Sequence, residues 1–138
     1  MAALTIDDIQ PGDAHSEVLD FTPERMRTFA EITGDTAGIH VNRSFSQEKG
    51  FDGLVVYGLL LSAHFSRILG MELPGENTVI GSVDLNFHVP VYMGDSVTYT
   101  ARVRRILRPL SSVLLDLRIE KSDGTLCVEG KANCVFKK

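Results

Sequence analysis

The sequence has no tryptophan, only two cysteines and no long hydrophobic run, and these shortages exclude several classes of protein. Cys127 and Cys134 fall in one predicted strand, on opposite faces and roughly 20 Å or more apart, which is too far for a disulfide bond. We therefore expect two free thiols, as is usual in a reducing cytoplasm. Apolar runs such as Gly58 to Leu61 are far too short to cross a bilayer, so we expect no membrane partner.

An excess of positive charge is also missing. The 14 Lys and Arg residues are outnumbered by 18 Asp and Glu, giving a net charge of −4, which argues against nucleic acid as a partner. One local group of arginines indicates either a solvated strand face or a site for the phosphates of a carrier such as coenzyme A. This group comprises Arg102, Arg104, Arg105 and Arg108. No His, Asp or Glu residues have metal-site spacing, so we predict no metal.

The first half of the chain has helical patterns, and its length of 138 residues predicts a single domain, residues 1–138. Thr22 and Pro23 are typical of a helix start, and Gly34 of its end. We expect residues 35–42 to be irregular and residues 44–50 to form a short helix with a capping box. The segment 57–69 predicts a helix that is apolar around most of its circumference and therefore buried, ending at Gly70. The N-terminal residues 1–8 lack the basic and apolar regions of a signal peptide.

The second half of the chain changes to a period of two, which is typical of strands. Alternating apolar residues predict four long strands in meander order, and Asp123-Gly124 is a hairpin turn signal. The strands span residues 79–89, 96–106, 111–121 and 125–136, and residues 16–21 predict a short strand before them. Together with the buried helix they predict an α+β fold, with an antiparallel sheet wrapped around a central helix.

A carboxylate and an imidazole, Asp35 and His40, lie five residues apart in a glycine-containing segment. Such a pair can hold and deprotonate one water molecule. The apolar helix begins near Gly58, and the free N–H groups of a helix N-terminus can bind a polarised carbonyl oxygen. These two parts are what water addition to, or elimination from, a thioester requires.

These motifs resemble those of the MaoC-type hydratases, the (R)-specific enoyl-CoA hydratase group. The family pattern D-x-N-P-x-H is matched by residues 35–40, and H-G-M at the start of the central helix by Tyr57-Gly58-Leu59. Phe87-His88-Val89-Pro90-Val91, followed by Gly94-Asp95, is similar to the family's F-x-x-P-V and G-D, and residues 69–75 resemble its helix exit. The similarity covers nearly the whole chain.

The resemblance implies the hot-dog fold and hydration of trans-2-enoyl thioesters to 3-hydroxyacyl thioesters, or the reverse dehydration. It favours Asp35 as the base, with His40 orienting the water, although the residues alone leave their roles interchangeable. It implies no separate cofactor, since coenzyme A or acyl carrier protein is part of the substrate. It also implies a homodimer, or a dimer-based oligomer, whose sheets pair into one and whose sites lie at the interface. The cytoplasmic location is expected from the free thiols rather than from the resemblance.

Three departures from the family pattern matter for the site, namely Ala37 for Asn, Gly38 for Pro and Tyr57 for His. Loss of the Asn side chain and the Pro ring predicts a looser loop. These departures leave open a non-catalytic or weakly active subunit that binds acyl thioesters. A hot-dog thioesterase is a second alternative, although such enzymes usually carry the carboxylate on or near the central helix.

Gly58, Tyr57 and Ser62 are the predicted substrate-binding residues. Tyr57 is either a core aromatic residue or part of the acyl or thioester site. The Ser62 hydroxyl either faces the pocket or bonds back to the carbonyl of Gly58. His64 lies on the same apolar helix, where a hydrogen-bonded core or interface histidine is more common than a ligand.

Overall fold

The fold is a five-stranded antiparallel sheet that curves around one helix. It is taken from a computed structural model, which describes residues 3–138. Met1 and Ala2, which belong to the segment compared with signal peptides, lie outside the described residues. The strand order is β1-β3-β4-β5-β2. The strands are β1 (Ala14–Asp20), β2 (Thr78–Phe87), β3 (Ser96–Leu107), β4 (Ser112–Lys121) and β5 (Leu126–Phe136).

The α-helices lie between β1 and β2 in sequence. They are α1 (Pro23–Thr33), α2 (Gly38–Val41), α3 (Arg43–Glu48) and α4 (Gly58–Arg67), and α4 continues into one turn of π-helix, Ile68–Glu72. Short 3₁₀ turns span Ile6–Asp8 and Arg108–Leu110. None of the helices between residues 3 and 138 combines the length and apolarity that a membrane span needs.

The core lies between α4 and the inner faces of the central strands. Alternate residues of β3 and β4 are almost fully buried, as their period of two predicts. On the helix side, Leu61 and Phe65 are the buried residues of α4, so the prediction that this helix is buried around most of its circumference was wrong for the single chain. The inward-facing strand residues are Val97, Tyr99, Ala101 and Val103 of β3, and Val113, Leu115, Leu117 and Ile119 of β4.

Several predicted boundaries were wrong. Residues 35–42 are not wholly irregular, because α2 forms within them. Helix α3 is capped by Asn42, whose side chain accepts from the amide of Phe45 at 3.0 Å, rather than by Ser44. The central helix does not end at Gly70, because the π-turn carries the chain through it, and the Leu73 amide donates to the Ile68 carbonyl at 2.9 Å.

Strand β2 lies at one edge of the sheet and pairs with β5 alone among the described residues, so the predicted meander order was wrong for β2, which does not lie next to β3. It approaches β5 closely at Gly130, where a Cβ atom would lie 1.9 Å from the carbonyl oxygen of Asp84. No side chain fits in that space, so the pairing of β2 depends on glycine at position 130.

Both cysteines are free and buried. The β4–β5 register shifts next to Cys127, which lies opposite no single residue of β4. Such a bulge turns an additional residue out of strict alternation, so Cys127 is buried although it lies an odd number of residues from Cys134.

Candidate active site

A cavity of about 290 Å³ lies at the N-terminal end of α4. The structure brings Asp35, His40, Tyr57 and Gly58, all predicted as site residues, to its wall. Phe29, Thr33, Leu59 and Phe87 complete the lining. The cavity therefore combines a carboxylate, an imidazole and a helix N-terminus with a largely apolar wall.

His40 is held by the loop that precedes α4. Its Nδ1 lies 2.6 Å from the carbonyl oxygen of Val55, and the Val55 amide donates to the Ile39 carbonyl at 2.9 Å. A carbonyl oxygen only accepts hydrogen bonds, so Nδ1 must carry the proton. The neutral imidazole then has its lone pair on Nε2, the atom that can accept a proton from water.

Asp35 follows the end of α1, where Gly34 adopts a left-handed conformation with φ of 73°. One carboxylate oxygen, Oδ1, accepts from the Ala37 amide at 3.0 Å, and the Asp35 amide donates to the Thr33 hydroxyl at 3.1 Å. These local bonds fix the turn and leave Oδ2 available to a ligand. Thr33 was not predicted, although a threonine at a helix end beside an acid is the signal that could have found it.

The amides of the first turn of α4 are the third component. N–H groups in the first turn of a helix have no intrahelical acceptor, and no side chain among residues 3–138 caps α4. Gly58 and Leu59 of that turn line the cavity. The partial positive charge of a helix N-terminus can stabilise an oxyanion that forms there.

Tyr57 is both a wall of the cavity and a core residue. Its ring is 2% exposed and stacks on the His40 ring, with centroids 4.1 Å apart and planes at 26°. Its hydroxyl donates to the main-chain carbonyl of Asp35 at 2.7 Å. Burial and, next, the negative charge of Asp35 raise the pKa of the Tyr57 phenol, which stays protonated.

Ser62 is not part of the cavity wall. Its hydroxyl donates to the Gly58 carbonyl at 2.9 Å, which is the back-bonded arrangement. The hydroxyl proton is thus used within the helix, and Ser62 lies outside the cavity lining, so the structure gives no support to Ser62 as a substrate-binding residue.

Gly38 is not a loose point in the loop. It starts α2, and a Cβ atom at this position would lie 2.4 Å from the ring of Phe45. The aromatic ring fills the space next to Gly38, so contact with Phe45 constrains the loop where the family pattern has proline.

The arginine group lies away from this cavity, and three of its four members contact other groups of the protein. Arg102 donates to the Gly12 carbonyl at 3.0 Å, Arg104 lies 3.4 Å from Asp116, and Arg108 lies 2.7 Å from Asp7. A larger hollow of about 840 Å³ on the outer face of the sheet is lined by Arg102 and Arg104 among charges of both signs. These contacts favour the solvated strand face over a phosphate site.

The C-terminal end of α4 carries a second polar cluster that residue spacing did not reveal. Glu17 of β1 accepts from His15, His64 and Arg67 at 2.6–2.7 Å. Arg67 also donates to Glu72 at 3.2 Å. Ligand atoms of His15, Glu17 and Glu72 lie within 4.8 Å of one another, and Arg67 forms an ion pair with each of the two carboxylates.

Comparison with known proteins decides the family. The family model described as MaoC like domain matches residues 10–108. The chain belongs to the MaoC-like family. An (R)-specific enoyl-CoA hydratase of Aeromonas caviae is 31% identical over 112 residues, 81% of this chain and 84% of that one. A 3-hydroxybutyryl-CoA dehydratase of Methylorubrum extorquens is 31% identical over 107 residues, 78% and 68% of the two chains.

The solved structures place this MaoC-like chain in the hot-dog fold. The (R)-hydratase from A. caviae matches with a TM-score of 0.89 and 28% identity, covering 94% of this chain and 98% of that one. The prediction of an antiparallel sheet wrapped around a central helix is confirmed, and the resemblance to MaoC-type hydratases is confirmed with it.

Proposed function

We propose that this protein is an (R)-specific hydro-lyase that adds water to trans-2-enoyl thioesters, giving 3-hydroxyacyl thioesters, and catalyses the reverse dehydration. The observation that carries the proposal is that Asp35, His40 and the open N-terminus of α4 line one cavity. The two relatives at 31% identity are named as a hydratase and a dehydratase of acyl-CoA compounds, which supports the reaction class and the choice of thioester.

In this mechanism the thioester carbonyl oxygen accepts from the Gly58 amide. Negative charge builds up on that oxygen as water attacks, and the helix N-terminus stabilises it. Oδ2 of Asp35 and Nε2 of His40 hold the water opposite Cβ. One of them takes a proton as the hydroxyl group bonds to Cβ, and a proton is delivered to Cα. The family resemblance favours Asp35 as the base and His40 as the residue that orients the water.

The test is an assay of a panel of enoyl-CoA substrates, beginning with crotonyl-CoA, against an Asp35→Asn control. We expect turnover by the wild type and a loss of at least about 100-fold in the variant. Release of free coenzyme A from saturated acyl-CoA would indicate a thioesterase instead. Saturable binding with no turnover in either direction would indicate a binding subunit, and either result would overturn the proposal.

We also infer that the protein is a homodimer formed through β2. Val83 in β2 is 43% exposed and Phe87 is 50% exposed, and Leu59 beside the cavity is 73% exposed. Alternation in β2 predicts an apolar face that this chain does not bury, and a free edge invites strand pairing. Since Leu59 and Phe87 are also cavity walls, a second copy at this edge would complete the site.

Light scattering of Val83→Lys tests the dimer. A charge on the edge of β2 should prevent pairing, so we expect a monomer with greatly reduced activity. The matched control is Val18→Lys in the other edge strand, β1, where the valine is 64% exposed. That variant should remain dimeric and active, and a monomeric wild type at micromolar concentration would contradict the inference.

A cytoplasmic location is the final part of the proposal. It is supported by two free, buried cysteines in a chain that has no others. Fractionation of cells that express the protein from its own gene would test it.

A further inference from the structure

Tyr57 contacts both proposed catalytic residues at once. Its hydroxyl donates to the main-chain carbonyl of Asp35 at 2.7 Å, and its ring lies against the imidazole of His40 at 4.1 Å. The side chain therefore connects the two ends of the loop that carries the carboxylate and the imidazole. The family pattern has histidine at this position, so the connection through a phenol belongs to this chain.

The Tyr57 ring is itself held in place. Phe29 of α1 packs against it with ring centroids 4.8 Å apart, and the ring is almost fully buried. The backbone of Tyr57 leads directly into α4, with its carbonyl accepting from the Leu61 amide at 3.0 Å. Any movement of the Asp35 loop relative to the helix N-terminus must therefore break the phenol contact or displace a packed ring.

We propose that Tyr57 is a positioning residue that fixes Asp35 and His40 relative to the open amides of α4. It acts through those two residues, and its hydroxyl is used by the Asp35 carbonyl rather than by a substrate. The inference rests on the proposed function, since it explains how that site keeps its geometry without the asparagine and proline of the family pattern. Small errors in the placement of reacting groups are costly, with about 100-fold in rate lost for a 1 Å displacement.

The test compares Tyr57→Phe with a matched control, Tyr99→Phe. Tyr99 is also a buried tyrosine whose hydroxyl donates to a main-chain carbonyl, that of Leu61 at 2.8 Å, but it does not line the cavity. Both variants lose one hydrogen bond of the same kind and keep the ring, so both should fold with a similar fall in melting temperature.

We expect kcat of Tyr57→Phe to fall about tenfold while KM changes less than about twofold, because groups that act in the transition state are misplaced and ground-state binding is retained. Tyr99→Phe should keep the wild-type kcat. If both variants lose similar stability and both keep kcat, Tyr57 is a packing residue only and the proposal is overturned.

Amide hydrogen exchange provides a readout that does not depend on activity. The amides of Ala37 and His40 donate to Asp35 Oδ1 and to the Ala37 carbonyl, so they report the order of the loop. We expect faster exchange at these amides in Tyr57→Phe and not in Tyr99→Phe. If the wild type shows no turnover but this difference is present, the proposed function fails and the positioning role stands. Unchanged exchange in Tyr57→Phe would overturn the positioning role.

Discussion

The two ends of helix α4 are built from similar residues and differ in what those residues leave free. At the N-terminal end, His40 lies against Tyr57, whose hydroxyl donates to the carbonyl of Asp35. At the C-terminal end, the ring centroids of His64 and Tyr99 lie 4.7 Å apart, and the Tyr99 hydroxyl donates to the carbonyl of Leu61. Each end thus contains a histidine packed on a tyrosine that bonds to the main chain.

The difference is at the Nε2 atom of each histidine. Nε2 of His64 lies 2.7 Å from a carboxylate oxygen of Glu17, which also forms an ion pair with Arg67. His40 uses Nδ1 for the Val55 carbonyl, and its ring lines the cavity. A histidine supports chemistry where one nitrogen is fixed and the other meets a space that a substrate can enter.

The largest effect should come from exchanging each histidine for glutamine. We expect His40→Gln to lower kcat by at least about 100-fold, and also to lower the melting temperature because the bond to the Val55 carbonyl is lost. His64→Gln should retain activity and lose roughly 1–2 kcal/mol of stability, because its bond to a charged group is weakened. Steady-state kinetics and thermal unfolding of both variants measure this, and equal activity loss at both positions would contradict the contrast between the two ends.

A smaller effect is expected from Glu17→Gln, which weakens the cluster at the C-terminal end. Burial raises the pKa of Glu17, but hydrogen bonds from His15 and His64 and the charge of Arg67 outweigh it, so the pKa lies below its ordinary value of 4.5. At neutral pH the variant should lose roughly 1–2 kcal/mol of stability while keeping its activity.

The pH dependence follows from the sign of that shift. A carboxyl group with a lowered pKa in the folded state stabilises the protein above its unfolded pKa, and this contribution is lost as pH falls below about 4.5 through the folded value. His15, His64, Arg67 and Glu72 face the same carboxylate. Urea unfolding from pH 7 to pH 3 should show that the difference in the free energy of unfolding between wild type and Glu17→Gln becomes smaller as the pH falls. A difference that stays constant would contradict the lowered pKa of Glu17.

The smallest effect should come from Gly38→Ala at the N-terminal end. Alanine normally stabilises a helix relative to glycine, but here its methyl group would meet the Phe45 ring at 2.4 Å. Because Phe45 is partly exposed and can yield, we expect a loss of only about 1 kcal/mol. In a Phe45→Ala background the same change should be neutral or stabilising, and urea unfolding of the four proteins gives the coupling energy.

The sequence predicted the long strands and the first helix best. Residues 97–103 and 113–119 alternate over enough positions to define a buried face, and the structure buries them. The cap of α1 was also predicted from its residues, since Thr22 accepts from the Arg25 amide and Gly34 adopts the left-handed conformation. Alternation and helix capping depend on residues that are close in sequence, so they can be predicted without knowledge of the fold.

Features that depend on distant packing were missed. Helix α2 has only four residues, too few for a periodic signal, and the π-turn through Gly70, in which Ile68 and Leu69 are buried, was not predicted either. Asp35 and His40 could be proposed from their spacing and family pattern, whereas Phe87 reaches the same cavity from the far edge of the sheet. The loop of residues 35–40 and strand β2 lie too far apart in the sequence for a local pattern to indicate that they meet.

Gly130 has a consequence for genetic variation. Every missense change at this codon adds a side chain where the neighbouring backbone leaves no space, and the displaced strand β2 carries Phe87 of the cavity wall. In a saturation mutagenesis library selected for function, position 130 should therefore be as intolerant as Asp35, although glycine itself takes part in no chemistry. Such a library would show that the contact between β2 and β5 at Gly130 is as sensitive to substitution as the candidate active site.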